Sequence, residues 1–155
     1  MRFLALDDDG DDTLSAGVWH GRLARALAHW RSLAGGGVPA YDALQLSSLA
    51  PDLRFLATLA VDGPDFRFLS VGDEITERYG RLEGRYLADQ FVGPAQLDLL
   101  AAHRACTEQR VPVVCEVTLD DVDLSSRIPF QCLLLPFAST GNAVDHVLWV
   151  MAFRS

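Results

Sequence analysis

The chain has 155 residues, half of them apolar, which suits a single domain with a sizeable core, and no apolar stretch is long enough to span a bilayer. Its net charge is −8 and all 13 basic residues are arginine, which excludes lysine chemistry and disfavours nucleic acid and anionic membranes as partners. Because the three cysteines form no disulfide framework and no secretory leader is evident, we predict a cytoplasmic protein.

Residues 1–14 contain an acidic run from Asp7 to Asp12, and we predict a flexible, solvated leader there. The run does not form an EF-hand calcium loop. Counted from Asp7, the positions that require glycine and glutamate are occupied by Asp12 and Val18.

Residues 15–37 predict an N-terminal helix that ends at the glycines before Pro39. Its large apolar residues recur at the spacings of a short heptad seam. Such a seam either packs on the sheet of its own domain or pairs two subunits, and both alternatives stay open. The seam, which is also the candidate dimerisation surface, consists of Trp19, Leu23, Ala26, Trp30 and Leu33.

Residues 38–155 predict a second unit with strands and helices. Strands are predicted over 54–61 and 66–71, a short helix over 73–79, a long helix over 94–110, and strands over 112–119, 129–137 and 146–153. The last two strands are apolar on both faces, so both faces of the sheet require cover.

The tracts Leu69–Gly72, Tyr79–Arg81 and Glu83–Arg85 succeed one another like the RLVGT-, YGR- and TGR-like tracts of a bacterial, stand-alone PAS family, which this chain resembles. His29–Pro39 and Leu134–Ala138 extend the match, so that the resemblance covers most of the chain. It implies an α/β (α+β) fold with a five-stranded antiparallel sheet and helices on one face. The N-terminal helix is then expected to cover the other face. The resemblance also implies a sensory or docking module rather than an enzyme.

We predict a ligand pocket between the long helix and the sheet. On a helical wheel His103, Arg104 and Thr107 lie close to the side of Leu97 and Leu100, which places polar groups towards an apolar interior. The alternative is a core histidine bonded to backbone, with Arg104 reaching water. The candidate pocket residues are Tyr79, Phe91, Leu100, His103, Arg104, Thr107, Phe130, Cys132 and Trp149.

No cofactor, metal or catalytic residue is assigned from the sequence. PAS domains that bind haem use a histidine on this helix, but His103 has no matching pocket motif around it. Flavin photoreceptors of the LOV type need a cysteine before the long helix, and residues 86–91 contain none. His103 and Cys106 offer two metal ligands where structural zinc takes four.

The sequence thus predicts a stand-alone, homodimeric sensory or regulatory module that binds a small apolar ligand or a partner protein and signals in trans. Two alternatives stay open. One is a small cone-shaped α+β isomerase or hydratase in which His103 is a buried general base. The other is a ligand-free interaction module whose cavity is filled by Phe91, Phe130 and Trp149. A continuous core favours this last alternative, and a polar cavity beside His103 favours the other two.

Overall fold

The computed structural model describes residues 2–6, 20–90, 94–117, 130–141 and 143–153. In these ranges one sheet carries helices on both faces. The helices are α1 (Gly21–Ala34), α2 (Asp73–Tyr79) and α3 (Pro94–Gln109), and the strands are β1 (Arg2–Ala5), β2 (Leu56–Asp62), β3 (Asp65–Val71), β4 (Val113–Val117), β5 (Phe130–Phe137) and β6 (His146–Phe153). Across the same ranges no helix has the length and apolar character needed to cross a membrane.

The sheet is antiparallel throughout, with the strand order β1-β4-β5-β6-β2-β3. The α+β class is confirmed, and the succession of elements from β2 onward is consistent with a PAS-like fold. The turn between β2 and β3 forms at the predicted place, with Gly63 at a φ of +60°. In the described part of the chain the sheet has six strands rather than the predicted five.

The additional strand is β1, in a segment assigned to a flexible leader on the basis of its acidic neighbours. It pairs antiparallel with β4, and Phe3 stands opposite Cys115. Leu6, which follows β1, is buried, and its N–H donates to the carbonyl of Pro112 at 2.8 Å. The apolar start of the chain thus gains a core position that outweighs the cost of ordering it. The acidic run of the predicted leader lies outside the described residues.

Helix α1 covers one face of the sheet, as predicted. Within the described residues it begins at Gly21, after His20, whose Nδ1 accepts a hydrogen bond from the N–H of Arg22 at 3.0 Å. It ends at Gly35, whose φ of +56° is readily adopted by glycine. The first five residues of the predicted helix lie outside the described ranges.

Alternate residues of the central strands enter two separate cores. In β6, Trp149 belongs to the core beneath α3 and Val150 belongs to the core beneath α1. This alternation confirms the prediction that both faces of the sheet are covered, because every residue of β5 is buried. Leu23, Ala26 and Trp30 supply the helical side of the α1 core.

Asp52, which is 7% exposed, ties α1 to the short turn Asp52–Phe55 that precedes β2. Arg25 bonds both of its carboxylate oxygens at 3.0 Å, and the Arg22 Nε lies 3.4 Å from Oδ1. Arg22 also donates to the carbonyl of Met151 at 3.0 Å and lies 3.4 Å above the ring of Phe55. The hydrogen bond from Arg25 lowers the pKa of Asp52, although burial opposes this shift.

We expect Asp52→Ala to lower the free energy of unfolding by about 2 kcal/mol, because it leaves the half-buried guanidinium of Arg22 without its carboxylate. Arg25 contributes less, since 58% of its side chain is exposed. Urea unfolding monitored by circular dichroism measures the loss. Glu74→Ala is the matched control: its partners Arg54 and Arg78 are better solvated, and we expect a loss below about 1 kcal/mol. Equal losses in the two variants would contradict this role of Asp52.

Candidate functional site

Helix α3 turns a narrow row of small and medium side chains towards the sheet. Leu99, Ala102, His103 and Cys106 have no exposed surface, and Ala102 and His103 each lie three or four residues from Leu99 and Cys106. Leu97, expected on the inner side, is 67% exposed. The predicted inner face of α3 is therefore wrong, and the observed one is rotated about the helix axis away from Leu97. The helix is rich in alanine, and its apolar pattern is too weak to define one side.

His103 is the polar residue of this row, and its two ring nitrogens differ. Nδ1 lies 2.8 Å from the carbonyl oxygen of Leu99. A carbonyl only accepts, so Nδ1 carries the proton and Nε2 presents a lone pair. In the part of the chain that the structure describes, Nε2 has no hydrogen-bond partner. Burial lowers the pKa of His103 to about 4, although the Leu99 carbonyl opposes this shift, so the ring is neutral at pH 7.

Aromatic rings occupy the space around this imidazole. The centroid of the Phe66 ring lies 5.0 Å from that of His103, and Trp149 meets it edge-to-face at 5.5 Å. Phe68 and Phe130 lie 5.7 and 6.2 Å from Trp149. Leu100 and Cys132 belong to the same core. Among the described residues, the interior beneath α3 is therefore mainly apolar, with the acceptor of His103 and the indole N–H of Trp149 inside it.

Three predicted pocket residues lie away from His103. Arg104 is exposed and donates to the carbonyl of Pro64 at 3.0 Å, and the hydroxyl of Thr107 donates to the carbonyl of Arg104. Tyr79 is half-buried at the margin of the core, with its ring 5.9 Å from that of Phe153. Phe91 lies outside the described residues. The predicted residues that the structure brings together are Leu100, His103, Phe130, Cys132 and Trp149.

The three cysteines are fully buried. Cys115 and Cys132 stand opposite one another on β4 and β5. Burial raises the pKa of Cys106 and of Cys115, which makes their thiols poor nucleophiles. Across the ranges resolved here, no three histidine, cysteine or acidic side chains are grouped closely enough to hold a metal ion.

A haem iron takes the lone pair of a neutral histidine, and Nε2 of His103 offers one. The rings of Phe66 and Trp149, however, lie against that imidazole and fill the space that a porphyrin needs. The residues in this core do not fit a haem.

A second polar cluster, which the sequence did not indicate, closes the turn between β5 and β6. Nδ1 of His146 lies 2.8 Å from Oδ1 of Asp145 and 3.2 Å from Oγ of Ser139. The ring of Tyr41 stacks on His146 at 3.8 Å. Serine and aspartate thus contact the same ring nitrogen, so the imidazole cannot pass a proton between them as a catalytic triad does.

The contacts of this cluster explain its role in the turn. Burial raises the pKa of Asp145. The hydrogen bonds from His146 and from the hydroxyl and N–H of Ser139 lower it by more than burial raises it, so the net shift is downward. The cluster therefore stabilises the turn. A serine six residues before an Asp-His pair was the available signal, and short polar side chains at such a spacing commonly bond across a turn.

The described residues of the candidate dimerisation seam pack against the sheet of their own chain. Leu23, Ala26 and Trp30 are at most 4% exposed, and the indole N–H of Trp30 donates to the carbonyl of Pro136 at 2.9 Å. Leu33 is half-buried at the edge of this core, and Trp19 lies outside the described residues. Pairing two subunits through these side chains would require α1 to leave the sheet.

No protein-family model matches the chain, and no curated protein matches it. Among solved structures, the chain is similar to a domain of an HTR-like protein from Haloarcula marismortui. The sequence identity is 18%, the TM-score is 0.49, and the match covers 64% of this chain and 96% of that one. A likeness at this TM-score carries no argument about function.

Proposed function

We propose that the chain is a sensory or regulatory module whose signal is a small, mainly apolar molecule with one hydrogen-bond donor, bound beside His103 between α3 and the sheet. The observation that carries the proposal is the lone pair of Nε2, which is buried and has no partner among the described residues. The bond from Nδ1 to Leu99 holds the ring in the tautomer that accepts at this nitrogen.

A buried acceptor without a partner destabilises a fold by about 1–3 kcal/mol, and such groups in native proteins call for an explanation. A single bound water molecule is a poor explanation for this buried acceptor. A buried water needs two to four polar partners, and the rings nearest His103 add at most one, because Phe66 has no polar atom and Trp149 has a single N–H. An apolar molecule with one N–H or O–H group supplies the missing donor and keeps the apolar contacts.

Binding at this position requires the core to move, which is the property that a sensor needs. Because the rings of Phe66 and Trp149 lie against His103, a ligand at Nε2 has to displace one of them or shift α3 from the sheet. A ligand shifts an equilibrium between two conformations by the difference in its affinity for them. The resemblance to PAS modules agrees with this use of the helix–sheet interior.

Two other functions receive less support. A general base works best with a pKa near the working pH, and the pKa of His103 is lowered to about 4 in a ring that solvent does not reach. The ligand-free interaction module is the second candidate, because the rings around Trp149 already form a continuous core. It leaves the acceptor of His103 without a role.

Native mass spectrometry of the purified protein, before and after denaturation, tests whether a small molecule is retained. Titration with indole and indene then tests the chemistry, because the two molecules have nearly the same shape and only indole carries an N–H. We expect indole to bind about fivefold more tightly, since one hydrogen bond contributes about 1 kcal/mol. Isothermal calorimetry measures both affinities.

His103→Leu is expected to abolish the preference for indole. His29→Leu is the matched control, because Nε2 of His29 also lacks a partner among the described residues but belongs to α1. The preference should survive in that variant. Equal binding of indole and indene to the unaltered protein, with no retained mass, would favour the ligand-free module.

A further inference from the structure

An open groove of about 260 Å³ lies beside β2 and β3, formed with the turns Leu46–Leu49 and Asp52–Phe55. At its polar end the hydroxyls of Thr58 and Ser70 bond one another at 2.6 Å. Leu46 and Leu53 are 37% and 41% exposed. The lining residues are Leu46, Leu53, Leu56, Ala57, Thr58, Ser70, Val71 and Gly72.

The chemistry of the lining defines what fits. None of the eight lining residues carries a charge, and the large side chains among them are aliphatic. The hydroxyls of Thr58 and Ser70 are the polar side-chain groups of the lining. Because one hydroxyl donates to the other, the pair keeps one O–H donor as well as lone pairs, and it can bond one further hydroxyl or carbonyl group. An apolar cavity of roughly 150 Å³ takes a benzene molecule, so this groove has room for a somewhat larger aliphatic body.

The turn Asp52–Phe55 connects the groove to two helices. Leu53 lines the groove, while its neighbour Asp52 holds Arg25 and Arg22 of α1. Arg54, on the other side of Leu53, pairs with Glu74 of α2 at 3.0 Å. A molecule that presses on Leu53 therefore acts on a turn whose next residues hold α1 and α2.

Gly72 makes this turn sensitive to displacement. A Cβ at position 72 would lie 2.5 Å from the backbone of Leu53 and Arg54, so the turn and the start of α2 are in backbone contact. Movement of Leu53 cannot be absorbed by a flexible side chain at that point. It must be passed on to the start of α2 or to the carboxylate of Asp52.

We propose that this groove binds one small, neutral, mainly aliphatic molecule with a single hydroxyl or carbonyl group, and that occupancy acts on α1 through Asp52. The hydroxyls of Thr58 and Ser70 lie outside the His103 core, whereas Ala57 and Val71 of the lining also pack against that core. Binding in the groove does not require the ligand site proposed beside His103. The absence of charge in the lining selects a neutral molecule over an anion or cation of the same length.

The probes are 1-hexanol and hexanoate, which share a chain length and differ in charge. Chemical shifts of ¹H–¹⁵N amide spectra report binding and its place. We expect 1-hexanol to shift the amides of residues that line the groove, and hexanoate at neutral pH to bind at least tenfold more weakly. Hydrogen exchange of the α1 amides should change when 1-hexanol is bound. Equal binding of both probes, or shifts spread over the surface, would overturn the proposal.

Leu53→Ser removes an exposed lining side chain and is expected to weaken 1-hexanol binding at least tenfold. Leu97→Ser, an exposed leucine of α3 outside the groove, is the matched control and should leave binding unchanged. His103→Leu should also leave it unchanged, which separates this site from the core site. Should sedimentation instead reveal a dimer that Leu53→Ser dissociates, the groove would be the seat of a second copy and the small-molecule assignment would fall.

Discussion

Trp30→Ala is expected to lower the free energy of unfolding by about 4 kcal/mol, within the range for removal of a large buried aromatic side chain. Trp30 is 4% exposed, and its side chain lies on the side of α1 that packs against the sheet. Its indole N–H also satisfies the carbonyl of Pro136, so the variant loses packing and leaves an acceptor without its donor. Urea unfolding followed by far-ultraviolet circular dichroism measures the loss.

Trp30→Phe separates the two contributions. It retains an aromatic ring but removes the donor to Pro136, and we expect a smaller loss of about 1–2 kcal/mol. Trypsin supplies a second readout, since α1 carries arginines at positions 22, 25 and 31 and is protected while it lies on the sheet. Should Trp30→Ala lose less than Trp30→Phe, or digest no faster than the unaltered protein, Trp30 would not hold α1 in place.

The expected position of Trp30 shows what the sequence allowed. The double-faced apolar pattern of β5 and β6 required cover on both sides, and the tryptophan-bearing helix was the available cover. Strands with β-branched and aromatic residues and a clear turn at Asp62–Asp65 were equally readable. These features are local or periodic, so a single sequence displays them.

The features that were not predictable depend on tertiary contacts. The inner face of α3 is set by where the helix meets the sheet, and its alanines leave several rotations equally apolar. Arg104 and Thr107 were therefore placed in the pocket although they lie near or at solvent. Strand β1 is four residues long, and its apolar residues become a strand because β4 offers an edge.

The site was predicted in part for the same reason. His103 could be selected because a histidine among alanines and leucines on the long helix is conspicuous. Its buried lone pair depends on the bond from Nδ1 to the carbonyl of Leu99 and on rings from three strands. The groove beside β2 combines residues from two turns and two strands, and no periodic pattern connects them.

His103 should also make the protein sensitive to acid. In the unfolded chain a histidine has a pKa near 6.5, and in the folded protein burial lowers the pKa of His103 to about 4. Between these values the unfolded state binds a proton that the folded state does not. The free energy of unfolding therefore has its highest value, as far as His103 is concerned, above about pH 6.5. It falls by about 3 kcal/mol as the pH decreases to about 4.

The measurement is a series of urea unfolding curves between pH 7.5 and 4 for the unaltered protein and for His103→Leu. Groups such as Asp52 and Asp145, whose pKa values are lowered in the fold, titrate in both proteins and cancel in the difference. We expect the variant to become the more stable protein as the pH falls below 6. Parallel profiles would show that His103 does not titrate in this way.

Indole connects this acid sensitivity to the proposed ligand site. Once Nε2 is protonated it donates and can no longer accept, so a ligand that bonds this nitrogen binds only the neutral ring. Saturating indole should consequently lower the folded pKa of His103 further. The decline of the free energy of unfolding should then continue below pH 4, and the urea series is extended to that range for this test. Indene should leave the profile shape unchanged, because it has no donor for Nε2. A profile that both molecules change equally would mean that they bind without contacting His103.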